Sequence, residues 1–108
     1  MEIKRITVSG VDGHLDYLDR KECVEIVDIA VGNGVRRQGY GRLLVERLFT
    51  ELGDGRRVYA VTRASNEVAQ QFYTALGFHD VNPLRRFYCD ERSGIDAVMY
   101  SRWTGGPV

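Results

Sequence analysis

The chain has 108 residues, a formal net charge of zero at pH 7, and 44% apolar and 28% charged residues. That length suits one domain with a real core, and the balanced charge supplies no basic field for a polyanion, which argues against a nucleic-acid partner. No apolar run reaches the length of a membrane span, the first residues lack a secretion-signal pattern, and Cys23 and Cys89 lie far apart as buried free thiols would, so a cytoplasmic protein with no membrane partner is expected.

Ile3 to Val8 alternates apolar with polar residues, imperfectly, and Gly10-Val11-Asp12-Gly13 supplies a turn, which predicts a first strand. Leu15, Tyr17 and Leu18 continue as a short second strand, and Asp19-Arg20-Lys21 reads as a polar hairpin tip. Cys23 to Val31 is a third strand, rich in Val and Ile and interrupted only by Glu25 and Asp28, as expected of a strand buried on both faces. From Gly41 to Leu52, Leu44, Leu48 and Leu52 recur at helical spacing with Val45 and Phe49 beside them, and Gly53 sits where a left-handed C-terminal cap belongs. Val58 to Thr62 is a fourth strand. Ser65 or Asn66 then offers an N-cap for a second helix with the stripe Val68, Ala69, Phe72, Tyr73 and Leu76, ended by Gly77. Phe87 to Cys89 and Ala97 to Tyr100, separated by Asp90 to Gly94, read as a closing hairpin, and Thr104 to Val108 as a frayed tail. The order predicts a single mixed α/β domain over residues 1–108, with antiparallel hairpins flanking a central parallel strand pair and two helices.

The joint between the third strand and the first helix reads Arg36-Arg37-Gln38-Gly39-Tyr40-Gly41. A helix N-terminus exposes unpaired N–H groups and a partial positive charge, so it seats phosphate readily. Gly39 and Gly41 remove Cβ atoms that would block a diphosphate, and Arg36, Arg37 and Arg42 can add charge-assisted bonds. The competing reading is a tight turn that uses glycines for packing alone. Two familiar phosphate loops are excluded: position 44 is Leu, which breaks GxGxxG, and there is no GK[ST].

The whole stretch carries more information than the glycines. Arg36 to Gly41 fits R/Q-x-x-G-x-G/A, follows EIVDIAV, precedes an amphipathic helix, and is followed from Ser65 to Phe78 by SNEVAQQFYTALGF. Together these resemble the paired signature motifs of the GNAT superfamily, the Gcn5-related N-acetyltransferases, over about residues 22 to 100. The resemblance implies a GNAT-like mixed sheet, with acetyl-coenzyme A as acyl donor and direct transfer of its acetyl group to a primary amine. By position, Ile29, Ala30 and Val31 would pair with the pantetheine arm, the segment Arg36, Arg37, Gln38, Gly39, Tyr40, Gly41 and Arg42 would bind the pyrophosphate, and Asn66, Ala69 and Tyr73 would meet the donor from its other side.

Such a transfer needs a neutral nucleophile, a polarised carbonyl and a proton for the leaving thiolate. Tyr73 matches the family tyrosine that protonates the thiolate, although it also falls on the apolar stripe as a core residue would. Glu25 matches a glutamate of histone-acetylating members and is the candidate base, with Asp28 as its rival or a water chain in its place. Strict alternation puts Glu25 with Val27, Ile29 and Val31 on one face and Asp28 with Ile26 and Ala30 on the other, unless a bulge shifts the phase.

The segment VTRASN resembles the branch that acetylates protein N-termini, and Arg85 to Tyr100 resembles that branch's closing hairpin. Two departures stand out: the branch's strand glutamate falls on Val61, and its paired tyrosines appear as Phe87-Tyr88. The chain also starts about where the family's N-terminal strand and helices end, so an open acceptor site or a homodimer that completes it is expected. The acceptor is left as a peptide N-terminus, a lysine or a small amine. His14 and His79 sit singly in loop-like contexts, so no metal is expected. A non-catalytic acyl-coenzyme A sensor would keep the phosphate joint without the chemistry. An RNA-binding protein would need aromatics interleaved with a basic stripe, which this chain lacks.

Overall fold

The computed structural model describes residues 2–32, 39–85 and 95–105. Its elements run β1 (Ile3–Ile6), β2 (Gly13–Asp19), β3 (Cys23–Val31), α1 (Tyr40–Leu52), β4 (Arg57–Arg63), α2 (Glu67–Ala75), β5 (Asp80–Arg85) and β6 (Ile95–Trp103). The strands form one six-stranded sheet in the order β1-β2-β3-β4-β6-β5, with antiparallel pairing at both ends. This is the mixed α/β class that the order of elements predicts. The chain divides into two compact units, Met1–Val58 with Trp103–Val108 and Tyr59–Arg102.

In the first unit, β1, β2 and β3 form an antiparallel meander that aligns Ile6 with Leu15 and Leu15 with Ile29. Residues paired in this way point to the same face. The face carrying Ile6, Leu15, Tyr17, Val24 and Ile26 is buried, and α1 covers it with Leu44, Val45 and Leu48. The expected hairpin tip is present: Arg20 N–H donates to Cys23 O at 2.9 Å, and Lys21 N–H donates to the Asp19 carboxylate at 3.1 Å. The connection into β2 lies two residues earlier than expected. Strand β1 stops at Ile6, and Gly13 opens β2 because a side chain there would run into the Ala30 carbonyl.

A bulge corrects the expected phase of β3. Asp16 pairs with Asp28 while the next residue of β2, Tyr17, pairs with Ile26, so Val27 is an extra residue without a partner across the strand. Leu18 pairs with Glu25. Because Asp16 and Leu18 share a face, Glu25 and Asp28 share it too, opposite α1. The alternation argument had separated them.

The predicted frayed tail is also corrected at its start. Thr104 is buried, its N–H donates to Arg56 O at 2.7 Å, and its hydroxyl donates to Gly53 O at 2.6 Å while accepting from Arg56 N–H at 2.9 Å. Nearby, the Arg56 guanidinium donates to Asp19 at 2.6 Å and, as the main cause, holds that carboxyl below its usual range.

In the second unit, α2 buries Tyr73 against Phe78, and Tyr100 stacks alongside at 6.2 Å. Gly77 takes a left-handed φ of 84°, and the Arg102 guanidinium donates to Leu76 O at 2.6 Å, closing the helix end. Val68, expected in the core stripe, is 80% exposed, so the buried face of α2 is narrower than the apolar pattern. Strand β6 contains the expected strand Ala97 to Tyr100. Strand β5 occupies Asp80–Arg85 and pairs with β6, whereas the expected strand Phe87 to Cys89 lies outside the described residues. Strand β5 lies at the sheet edge, where Pro83 can occupy a position whose missing N–H breaks no ladder bond.

Among the described residues no helix is long and apolar enough to cross a membrane. Thr104→Val keeps the shape of residue 104 but orphans the Gly53 carbonyl and the Arg56 N–H. It should lower unfolding free energy by about 1 to 3 kcal/mol in urea titrations.

Candidate acyl-donor and proton-transfer site

The start of α1 is built by one backbone conformation. Gly39 sits at the N-cap with φ 77° and ψ 13°, a left-handed geometry that costs other L-residues about 1 to 2 kcal/mol. The helix then begins at Tyr40, so the N–H groups of Tyr40, Gly41 and Arg42 have no carbonyl within the helix, while Leu43 N–H returns to Gly39 O at 3.0 Å. No acidic residue lies in the first turn, and among the described residues a Cβ placed on Gly39 would meet no atom within 4 Å. Donors without a helical partner and the absence of a carboxylate in the first turn suit a phosphate group. The Arg42 side chain turns along the helix to Glu46 at 2.9 Å and is exposed. Arg36, Arg37 and Gln38 lie outside the described residues.

On β3, Ile29 and Val31 pair across to Leu15 and Gly13, and Ala30 pairs to His14. Register puts Ile29 on the face covered by α1 and Ala30 on the open face. Both are half-buried. In the second unit, Asn66 proves to be the N-cap of α2, accepting from Ala69 N–H at 3.1 Å, so these two expected donor-binding residues bond to each other. Tyr73 is 8% exposed and held by edge contacts with Phe72 and Phe78 at 5.2 Å each. In β4, Thr62 Oγ1 is buried with no partner among the described residues.

Glu25 is tied to Arg20, whose Nη2 lies 2.8 Å from its Oε1. A second set of groups gathers on the same open face. His14 Nε2 is 3.3 Å from Asp28 Oδ2 and 3.8 Å from Asp16 Oδ2, and Arg5 grips Asp16 with two bonds of 2.7 and 3.0 Å. Arg5's hydrogen bond is the main cause holding the Asp16 carboxyl below its ordinary range. His14 had been expected in a loop. It stands instead in β2, where the alternation Gly13-His14-Leu15-Asp16-Tyr17 was the available signal: His14 and Asp16 are two apart and share a face. Donor atoms of His14, Asp16 and Asp28 lie within 4.8 Å of one another, a grouping made by strand register that sequence spacing does not reveal.

The profile of the acetyltransferase (GNAT) family matches residues 7–78. An N-alpha-acetyltransferase of Sulfurisphaera tokodaii is 37% identical over 77 residues, an alignment covering 68% of this chain and 44% of that protein. A [ribosomal protein bS18]-alanine N-acetyltransferase of Salmonella typhimurium is 35% identical over 77 residues, covering 68% and 51% respectively. The chain thus spans about half the length of the curated relatives it matches. Among solved structures, the ribosomal-protein-S18-alanine N-acetyltransferase from Escherichia coli superposes with a TM-score of 0.70 at 26% identity, over 96% of this chain and 69% of that one. Ard1 from Thermoplasma volcanium superposes with a TM-score of 0.73 at 25% identity, over 94% and 70%.

Gly39→Ala should lose about 1 to 2 kcal/mol of stability from the left-handed geometry alone. Gly39→Asn, which tolerates that conformation better, should lose less, and paired thermal melts would check the ranking.

Proposed function

Because the chain belongs to the acetyltransferase (GNAT) family, we propose that it transfers the acetyl group of acetyl-coenzyme A directly to a primary amine. The observation that carries this reading is the opening of α1: a left-handed Gly39, N–H groups from Tyr40 to Arg42 without a carbonyl partner within the helix, and no acid in the first turn to repel a diphosphate. The remaining donor contacts are assigned to the Ile29 to Val31 stretch, to Arg36, Arg37 and Gln38, and to Asn66, Ala69 and Tyr73. Both units act as one catalytic domain in this proposal.

The acceptor we favour is the α-amine of a peptide. The names of the two relatives support this, since one is an N-alpha-acetyltransferase and the other acetylates an alanine of a ribosomal protein. Tyr73 would donate its phenolic proton to the departing thiolate, and its aromatic surroundings would keep that step away from bulk water. For Glu25 to serve as base, the acceptor would have to compete with the Arg20 guanidinium at its Oε1. We place the reaction in the cytoplasm, with which the free thiol of Cys23 accords.

We further propose a homodimer. Ile3 stands exposed on the face that α1 leaves open and Val27 is exposed at the bulge, and a second copy would both cover them and wall the acceptor side. Light scattering should find a dimer at micromolar concentration; a monomer with full activity would overturn this.

The central test is single-turnover transfer from acetyl-coenzyme A to a panel of an alanine-initiated hexapeptide, a lysine peptide and spermidine. The peptide N-terminus should be acetylated fastest. Tyr73→Phe should lower the rate about 10² to 10⁴-fold with donor affinity retained. Donor binding without transfer to any amine would instead mark an acyl-coenzyme A sensor.

A further inference from the structure

The pairing of β2 with β3 brings together a group of side chains that the proposed roles leave unused. His14 and Asp28 lie on the open face of β2 and β3, with His14 Nε2 3.3 Å from Asp28 Oδ2. If Nε2 carries the ring proton, it donates to Asp28, and the lone pair is then on Nδ1. No described residue bonds Nδ1. The ring is 26% exposed, so an incoming amine can reach it. Its partner across the strands is Ala30, in the middle of the segment assigned to the pantetheine arm.

The charges around the imidazole favour a proton acceptor. Asp28 faces it from β3, Asp16 stands beside it on β2, and Arg5 reaches Asp16 from β1, while α1 covers the opposite face. Two carboxylates stabilise the imidazolium that forms when the ring takes a proton. Arg5 keeps Asp16 anionic, so the proton is not passed to that neighbour. The carboxylate expected as base, Glu25, is meanwhile bound by Arg20.

We propose that His14, oriented by Asp28, is the proton acceptor for the amine substrate. The inference rests on the acetyl-transfer reading. His14 Nδ1 takes one proton from the acceptor ammonium, leaving a neutral amine. The amine nitrogen bonds to the thioester carbonyl carbon, and the C–S bond breaks. The leaving sulfur takes the Tyr73 proton, and the phenolate takes the second proton from the new amide nitrogen. The imidazolium releases its proton to water, so each turnover yields amide, free thiol and one proton.

Single-turnover transfer to the alanine-initiated hexapeptide, alongside calorimetry with acetyl-coenzyme A, tests the assignment. His14→Gln should lower the rate about 10² to 10⁴-fold and leave donor affinity within about 2-fold. Asp28→Asn should lower it less, since the ring remains. Added imidazole should restore at least about 10-fold of the rate lost by His14→Ala, a rescue that a merely structural role would not show, and melts of each variant would confirm the fold. Wild-type rates in His14→Gln, or no rescue of His14→Ala by imidazole, would overturn the role of His14 and leave the acetyltransferase reading intact. A wild-type chain that binds no acetyl-coenzyme A, or transfers to no amine, would overturn both.

Discussion

The extra residue at Val27 decides how the polar chemistry of the first unit is arranged. With one residue more on β3 than on β2, Val24, Ile26 and Ile29 face α1, and Glu25 and Asp28 come out together on the other side. Without it, one of the two carboxylates would be driven beneath α1 among Leu44, Val45 and Leu48, where an unpaired charge is costly enough to change the fold or the protonation state. The bulge thus reconciles a strand whose sequence places Glu and Asp three apart with a helix that tolerates only apolar side chains beneath it.

That same packing fixes the start of α1. Leu44, Val45 and Leu48 anchor the helix to the meander, so the direction of its first N–H groups is set by the core. Gly39 turns the chain into the helix through a left-handed conformation, and Thr104 ties down Gly53 and Arg56 just beyond the other end. Both ends are therefore held, as the proposed phosphate seat requires.

Much of this was legible in the sequence because its causes are local. The period of Leu44 and Leu48, the glycine at position 53, the cap at Asn66 and the polar tip at Asp19 each act within a few residues. What the sequence did not reveal depends on partners distant along the chain. The bulge is a relation between β2 and β3, Thr104 finds its partners some fifty residues earlier, and β5 accepts Pro83 because it lies at an edge. His14 resembled a loop residue for the same reason: its neighbours Asp28 and Arg5 come from other strands. Tyr73 carries both characters: a hydroxyl on an aromatic cluster packs like Phe and reacts like a phenol.

The charge pairing on the open face distinguishes its carboxylates. Arg5 pairs with Asp16 and Arg20 with Glu25, and a guanidinium keeps its proton at every pH the folded chain meets. Asp28 is paired instead with an imidazole, the one kind of side chain here whose charge changes near neutrality. An ion pair of fixed charge can hold structure or bind a substrate charge, but a pair that gains and loses a proton can also do chemistry. The arginines on β1 and in the β2–β3 hairpin thereby do more than balance charge: by engaging Asp16 and Glu25, they leave His14 and Asp28 as the pair on that face that the proposed proton transfer can use.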